Sequence, residues 1–286
     1  MIQSGKTPPK PTRKAALPSA DQRAPHRLPV RPVRGVQRAA PDAVTRLSAP
    51  ADVSFSTLPP YRMGPYQLRI VPATRDMFLD KRRKVETDWN AGIVHIRQDA
   101  NEFFALTLIV RQLITAIHYR SGLNDASDEE SYTHSFASGL VELALAQRQF
   151  FAELLTLIEK LVKPGAGWRN AYLKGRAVPV PKRIVCGART CTIGFVASES
   201  CNKARAYGFY TVGEGIIELS DQLHGANLAL VALHEKLHFL HECVGLEDKS
   251  TEAMFKNAQT RLLLNSLRDN PGYWRWWFSL LSQGPG

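Results

Sequence analysis

From about residue 92 onward, the two halves of this sequence are related by a fixed spacing of 123 residues. Helical periodicity alone would match apolar positions, but glycine and polar positions match here as well. The first half contains Gly122-Leu123, Asp125, Ser127 and Glu129, and the second contains Gly245-Leu246, Asp248, Ser250 and Glu252. A spacing shared by so many residue types indicates one structural unit that occurs twice.

Each copy has the pattern of short β-strands followed by three helices. The runs at residues 92–96 and 215–219 are β-branched segments entered from a glycine, which is typical of strands. Proline and glycine residues interrupt the connecting segment at residues 163–182. We therefore predict an α+β fold with two tandem modules, at residues 61–162 and 183–286, joined by a linker at residues 163–182.

Residues 1–60 differ in composition from the rest of the chain. They contain ten lysines and arginines, three aspartates and frequent prolines, with few large apolar side chains. Such a segment cannot bury enough surface to offset its ordering entropy, so it predicts an extended basic arm. A protein partner that holds this arm is the favoured interpretation. Nucleic-acid binding is a lesser alternative, because the arm has almost no aromatic side chains for stacking on bases.

Targeting signals and cysteines add little to this pattern. No apolar segment follows the first residues, and no apolar run is long enough to span a bilayer, so neither secretion by a signal peptide nor membrane insertion is expected. The four cysteines, Cys186, Cys191, Cys201 and Cys243, form no CxxC pair. They predict reduced thiols in an intracellular protein, with a second metal site built from the first three as an alternative.

The segment His234-Glu235-Lys236-Leu237-His238 reads H-E-x-x-H inside an apolar run. Two histidines four residues apart lie on one face of a helix, where neutral imidazoles can hold one Zn²⁺. The adjacent Glu235 can act as a general base toward a metal-bound water. The apolar stripe predicts a helix from Ala226 to Cys243 that ends at Gly245.

A catalytic zinc site needs a third protein ligand. The candidate is Glu252, near the start of a helix predicted over residues 250–267 with Ser250 as its N-cap, because the Gly245 turn would fold this helix back against the first. Glu247 and Asp248 are alternative ligands. His241 lies nearly two turns from His234, which favours a packing role; contact with a zinc ligand and contact with the substrate are the alternatives.

The run Val231–His238, together with Gly245-Leu246, Thr251-Glu252-Ala253 and Arg268-Asp269-Asn270-Pro271, resembles the small zincin-like metallopeptidases of phages and prophages, akin to the ImmA/IrrE-like class. The resemblance covers roughly residues 183–281. It implies His234 and His238 as zinc ligands, Glu235 as general base and Glu252 as third ligand. It also implies a phage-type genome, with the protein in the host cytoplasm or in the assembled virion.

The first copy departs from this motif. Arg111, Gln112 and Thr115 stand where the second copy has His234, Glu235 and His238. Neither arginine nor threonine replaces a zinc-ligating histidine, and glutamine is no base. The first module is therefore predicted to be a pseudoenzyme domain, retained for packing on the second module or for binding a partner.

Two functions are compatible with these patterns. The first is zinc-dependent peptide hydrolysis at the second module, with the arm and the first module docking a partner such as a virion protein. The alternative is a structural or adaptor protein of a virion that uses the metallopeptidase-like fold as a scaffold, with its arm threaded on neighbouring subunits.

Overall fold

The computed structural model describes residue 55 and residues 58–63, 65–204 and 206–282. The basic arm predicted at residues 1–60 lies almost wholly outside these residues. The described part begins a few residues before the first strand of the first half and ends one residue after the last helix of the second half.

Two four-stranded sheets occur along the chain. The first contains β1 (Tyr61–Met63), β2 (Tyr66–Ala73), β3 (Val85–Asp88) and β4 (Ile93–Arg97); the second contains β5 (Arg183–Cys186), β6 (Arg189–Val196), β7 (Gly208–Thr211) and β8 (Ile216–Ser220). Their strand orders, β1-β2-β4-β3 and β5-β6-β8-β7, are the same. In each sheet the central pair is parallel and the two outer pairs are antiparallel.

Eight helices accompany the sheets in the described residues. They are α1 (Glu102–Arg120), α2 (Glu129–Ala146), α3 (Arg148–Val162), α4 (Trp168–Lys174), α5 (Ser198–Ala204), α6 (Gly225–Val244), α7 (Glu252–Asp269) and α8 (Pro271–Leu281). The predicted α+β class is confirmed. Three helices of the first half, α1, α2 and α3, begin 123 residues before α6, α7 and α8. The segment predicted as a linker contains α4, which packs on α8. None of the described helices is long and apolar enough to cross a membrane.

One glycine enters the last strand of each sheet, as the sequence predicts. Gly92 and Gly215 both have φ +66°, a conformation that other residues rarely adopt. A Cβ atom at either position would collide with the backbone oxygen of Gln67 or Thr190 on the neighbouring strand. The repeated glycines therefore let two parallel strands approach closely at equivalent places.

The helices of the two halves pack across each other. Helix α7 packs more extensively on α1 than on α6, and α2 packs on α6 as well as on α1. Two matching hydrogen bonds join the halves: Asp125 accepts from the backbone N–H of Glu252 at 2.8 Å, and Asp248 accepts from that of Glu129 at 3.1 Å. One hydrophobic core contains residues of both halves. The aspartates and glutamates that match in sequence thus form reciprocal contacts in the structure.

Helix α6 packs on the aromatic face of α8, which fixes its position. The hydroxyl of Tyr273 and the indole N–H of Trp277 donate hydrogen bonds to backbone carbonyls of α6. The side chain of Lys236 is fully buried against the same helix, with its Nζ 3.5 Å from the ring centre of Tyr273 and 4.0 Å from that of Trp274. This Nζ makes no hydrogen bond among the described residues. Burial lowers the pKa of Lys236 well below its ordinary value.

We expect Lys236→Met to stabilise the protein by about 1–4 kcal/mol, because a buried amine without a hydrogen bond is replaced by an apolar chain of similar length. The matching position in the first half already holds an apolar residue, Leu113. Urea unfolding of the metal-free protein would measure the change. Lys163→Met, at an exposed position, is the control and should change the free energy of unfolding by less than about 0.5 kcal/mol. A lower unfolding midpoint for Lys236→Met would contradict the argument.

Candidate metal centre between the two halves

Helix α6 brings the two motif histidines together. It extends one residue beyond the predicted helix at each end and terminates at Gly245, which adopts the predicted left-handed C-cap conformation with φ 68°. His234 and His238 lie on one face, and their Nε2 atoms are 3.0 Å apart. Both side chains are about one-fifth exposed, and both line the same cavity.

A carboxylate from the first half completes this pair. Glu130, in the first turn of α2, has its Oε1 atom 3.3 Å from Nε2 of His234 and its Oε2 atom 3.2 Å from Nε2 of His238. Among the described residues, these three form the group whose ligand atoms converge closely enough to hold a metal ion. The centre therefore draws its ligands from both halves of the chain.

The predicted third ligand, Glu252, lies elsewhere in the structure. Its carboxylate is 2.9 Å from the Nζ of Lys256, on its own helix, and among the described residues it is not part of the metal-capable group. The reason is the exchange of helices, since α7 lies mainly against α1 and α2 supplies the acidic residue to α6. Helix α7 also begins at Glu252 with Thr251 as its N-cap, one residue after the predicted cap Ser250.

The two alternative ligands predicted in the α6–α7 loop lie beside the centre. Glu247 and Asp248 both line the cavity in front of the histidines, although neither belongs to the group of three. Asp248 is engaged by the backbone N–H of Glu129, which attaches the loop to the start of α2. The loop therefore contributes to the cavity wall instead of to the centre itself.

Glu129 contacts the Nδ1 atoms of two histidines of α6. One of its carboxylate oxygens is 2.9 Å from Nδ1 of His238, and the other forms a short contact with Nδ1 of His241 and accepts a hydrogen bond from Thr133 at 2.7 Å. A proton on Nδ1 of His238 leaves its Nε2 lone pair free toward Glu130 and His234. Glu129 thus orients a ligand without belonging to the group of three.

His241, for which the sequence favours a packing role, is buried and contacts Glu129. It is 1% exposed, and besides Glu129 its ring contacts the amide of Gln259 at 3.4 Å. The same Gln259 lies 2.9 Å from His118, the counterpart of His241 in the first half. The two matching histidines are therefore joined through one side chain where the halves meet.

The charges around the centre shift the pKa values of its residues. Burial, reinforced by neighbouring histidines, lowers the pKa of His234 to about 4, so this imidazole is neutral at pH 7. Burial alone would lower the pKa of His238, but the hydrogen bond and charge of Glu129 outweigh it and raise the pKa. Burial opposes ionisation of Glu129, yet its contacts with His238 and His241 hold its pKa well below the usual range.

Glu235 has the environment of a general base. It is 7% exposed and lines the same cavity as the histidines. Burial raises its pKa to about 7, although the charge of His238 and a hydrogen bond from the backbone of Tyr210 oppose this shift. A carboxyl group whose pKa lies near neutrality can both accept and return a proton at neutral pH.

In the matching region of the first half, the described residues form no group of convergent metal ligands. The hydroxyl of Thr115 donates to the carbonyl of Arg111, and the side chain of Gln112 accepts a hydrogen bond from Thr87. Ala253 stands where the other half supplies Glu130. Among the described residues, the repeat therefore forms one metal-capable centre and not two.

The cysteines lie apart from this centre. All four are free thiols, and among the described residues none takes part in the metal-capable group, so the alternative of a cysteine metal site finds no support. Cys191 and Cys201 are buried, and burial raises the pKa of Cys191 to about 12. A thiol of this kind is unreactive at neutral pH.

Glu129→Gln should weaken metal binding by about 10- to 100-fold, because the neutral amide loses the charge that orients His238. Competition with a fluorescent chelator would measure the dissociation constant. The control is Glu142→Gln on the same helix, which removes an equal charge from an exposed pair with Arg120. Equal affinities for the two variants would show that Glu129 does not position the ligand.

Comparison with known proteins identifies no relative of this chain. No family model matches it, and no curated protein or solved structure is significantly similar to it. The features of the chain that bear on its function are therefore the motif and the geometry around His234, Glu235, His238 and Glu130.

Proposed function

We propose that this protein binds Zn²⁺ through His234, His238 and Glu130. Two imidazole nitrogens and one carboxylate oxygen are a common ligand set of catalytic zinc. Tetrahedral bonds of about 2.0–2.1 Å place ligand atoms roughly 3.3 Å apart. The two Nε2 atoms are 3.0 Å apart, and each lies 3.2–3.3 Å from one of the two oxygens of Glu130, so the three side chains converge on a space of about this size. Three protein ligands would leave one coordination position of the ion for water or substrate.

We further propose that the centre hydrolyses peptide bonds. Zinc bound in such a site supplies a Lewis acid and lowers the pKa of a water molecule. Glu235 accepts the proton of the attacking water and returns it to the departing amine, which its near-neutral pKa suits. The observation that carries the proposal is that this buried carboxyl lines the same cavity as the three ligands. The choice of a peptide substrate comes from the likeness to zincin-like metallopeptidases of phages.

A structural role for the metal is the second candidate, and one observation favours it. The ligands come from α2 and α6, so a bound ion would tie together the two halves of the chain. This agrees with the alternative of a virion scaffold or adaptor protein. The partner proposed for residues 1–60 belongs to the same alternative, and this arm lies outside the described residues.

Metal analysis of the purified full-length protein, followed by a cleavage assay, separates these possibilities. We expect one zinc per chain in the wild type and none in His234→Ala. With a mixture of unstructured peptides, cleavage should stop when zinc is chelated and resume when zinc is restored. Zinc binding without cleavage would leave the structural role, whereas a zinc-free wild type would contradict both.

A further inference from the structure

The cavity in front of the metal centre is strongly acidic. Its volume is about 640 Å³, and six carboxylates line it: Glu129, Glu130, Glu235, Glu242, Glu247 and Asp248. Among the described residues that line it, none is lysine or arginine. The chain as a whole has a net charge of +11, so the charge of the cavity lining is opposite in sign to the net charge of the protein. The two positive charges of a zinc ion would not balance the charge of the lining.

Most of these carboxylates already have partners. Glu129 and Glu130 serve the metal centre, and Glu235 is assigned to proton transfer. Glu242 contacts Arg189 at 2.6 Å and also accepts from the hydroxyl of Tyr210. Asp248 uses one oxygen for the backbone N–H of Glu129.

Glu247 is the carboxylate that remains available. Among the described residues, its side chain takes part in no hydrogen bond or ion pair, and both Glu247 and Asp248 are exposed. The two are adjacent in the loop at the mouth of the cavity. They can therefore pair with a charge that arrives from outside.

Apolar side chains line the same cavity as these two carboxylates. Leu246 precedes them in the loop, and Phe209 and Val212 line the cavity from β7 and the turn that follows it. A lysine or arginine side chain combines an apolar stem with a cationic head, and it matches a cavity that is lined by both apolar groups and carboxylates.

We propose that the cavity selects cationic peptides, with a lysine or arginine side chain of the substrate lying against the apolar part of the lining and pairing with Glu247 and Asp248. This inference rests on the proposed function, because it specifies the substrate class of the same centre. Unlike the chemistry at the zinc ion, the selection acts on binding, so it can be measured without turnover.

The test measures peptide binding to full-length, zinc-loaded Glu235→Gln protein by fluorescence anisotropy. The probes are three labelled peptides that are identical except at two positions, which carry arginine, glutamine or glutamate. We expect the arginine peptide to bind roughly three- to tenfold more tightly than the glutamine peptide, and the glutamate peptide to bind most weakly. Raising the ionic strength from 0.05 to 0.5 M should reduce the differences.

The double variant Glu247→Gln, Glu235→Gln loses one of the two charges that pair with the peptide. The logarithm of the affinity ratio between the arginine and glutamine peptides should therefore fall by about half. The matched control is Glu153→Gln on α3, which removes the same charge from a residue outside the cavity lining and should preserve the preference. Equal binding of the three peptides, or a preference unaffected by Glu247→Gln, would overturn the inference.

The outcomes for the two proposals remain distinguishable. If the wild type cleaves peptides but does not discriminate among the three probes, the substrate class is wrong and the hydrolase stands. If the arginine peptide binds selectively but the wild type never cleaves it, the hydrolase proposal fails and the cavity is a binding site for cationic peptides.

Discussion

Replacing Glu235 with glutamine should lower kcat/KM for peptide cleavage by roughly 10²- to 10⁴-fold, the usual contribution of a general acid–base group. The amide is nearly the same size, so the fold and the cavity should be preserved. Because Glu235 is not one of the three proposed ligands, the variant should bind zinc with the affinity of the wild type. Steady-state kinetics and metal analysis of one preparation would test both expectations.

The first half of the chain offers a control for this substitution. Gln112→Glu places a carboxylate at the position that matches Glu235, where it can still accept the hydrogen bond from Thr87. It should leave kcat/KM unchanged, because no metal-capable group adjoins it among the described residues. Cleavage by Glu235→Gln at the wild-type rate would remove Glu235 from the mechanism.

Replacing Glu130 with alanine should weaken zinc binding by more than about 100-fold, since loss of a ligand exceeds the 10- to 100-fold effect of losing an outer partner. Glu252→Ala should change the affinity by less than about threefold, because Glu252 pairs with Lys256 away from the centre. Calorimetric titration with zinc, under identical buffer conditions, would compare the variants directly. The opposite ranking, with tight binding by Glu130→Ala and weak binding by Glu252→Ala, would restore the ligand set inferred from sequence.

The features that belong to a single helix could be predicted from the sequence. The bounds of α6, its end at Gly245 and the shared face of His234 and His238 all follow from local spacing, which a helix converts directly into geometry. The constant register of the repeat predicted the positions of matching elements, because both copies follow the same backbone path. The apolar run at residues 183–185 predicted β5, whereas β1, β3 and β7 were missed because they are only three or four residues long, and the eight-residue β6 was missed as well.

The identity of the third ligand could not be predicted in this way. A short loop between α6 and α7 suggested that these helices are neighbours, but the halves exchange helices, and either arrangement is compatible with the same repeated pattern. One signal in the sequence did point to Glu130. Its counterpart is Ala253, so the half with the histidines lacks this carboxylate and the half without them has it. When the histidines occur in one copy and the carboxylate only in the other, the pattern indicates a site shared by both copies.

The exchange of α2 and α7 has a consequence for any shorter version of this chain. A polypeptide with the length of one half would leave its reciprocal aspartate–glutamate contacts unmade, and it could complete them only by pairing with a second copy of itself. In such a symmetric dimer both sites would be identical, and every substitution would alter both. Covalent linkage of the halves removes that constraint, so Arg111, Thr115 and Ala253 can occupy one site while the other keeps its full set of ligands.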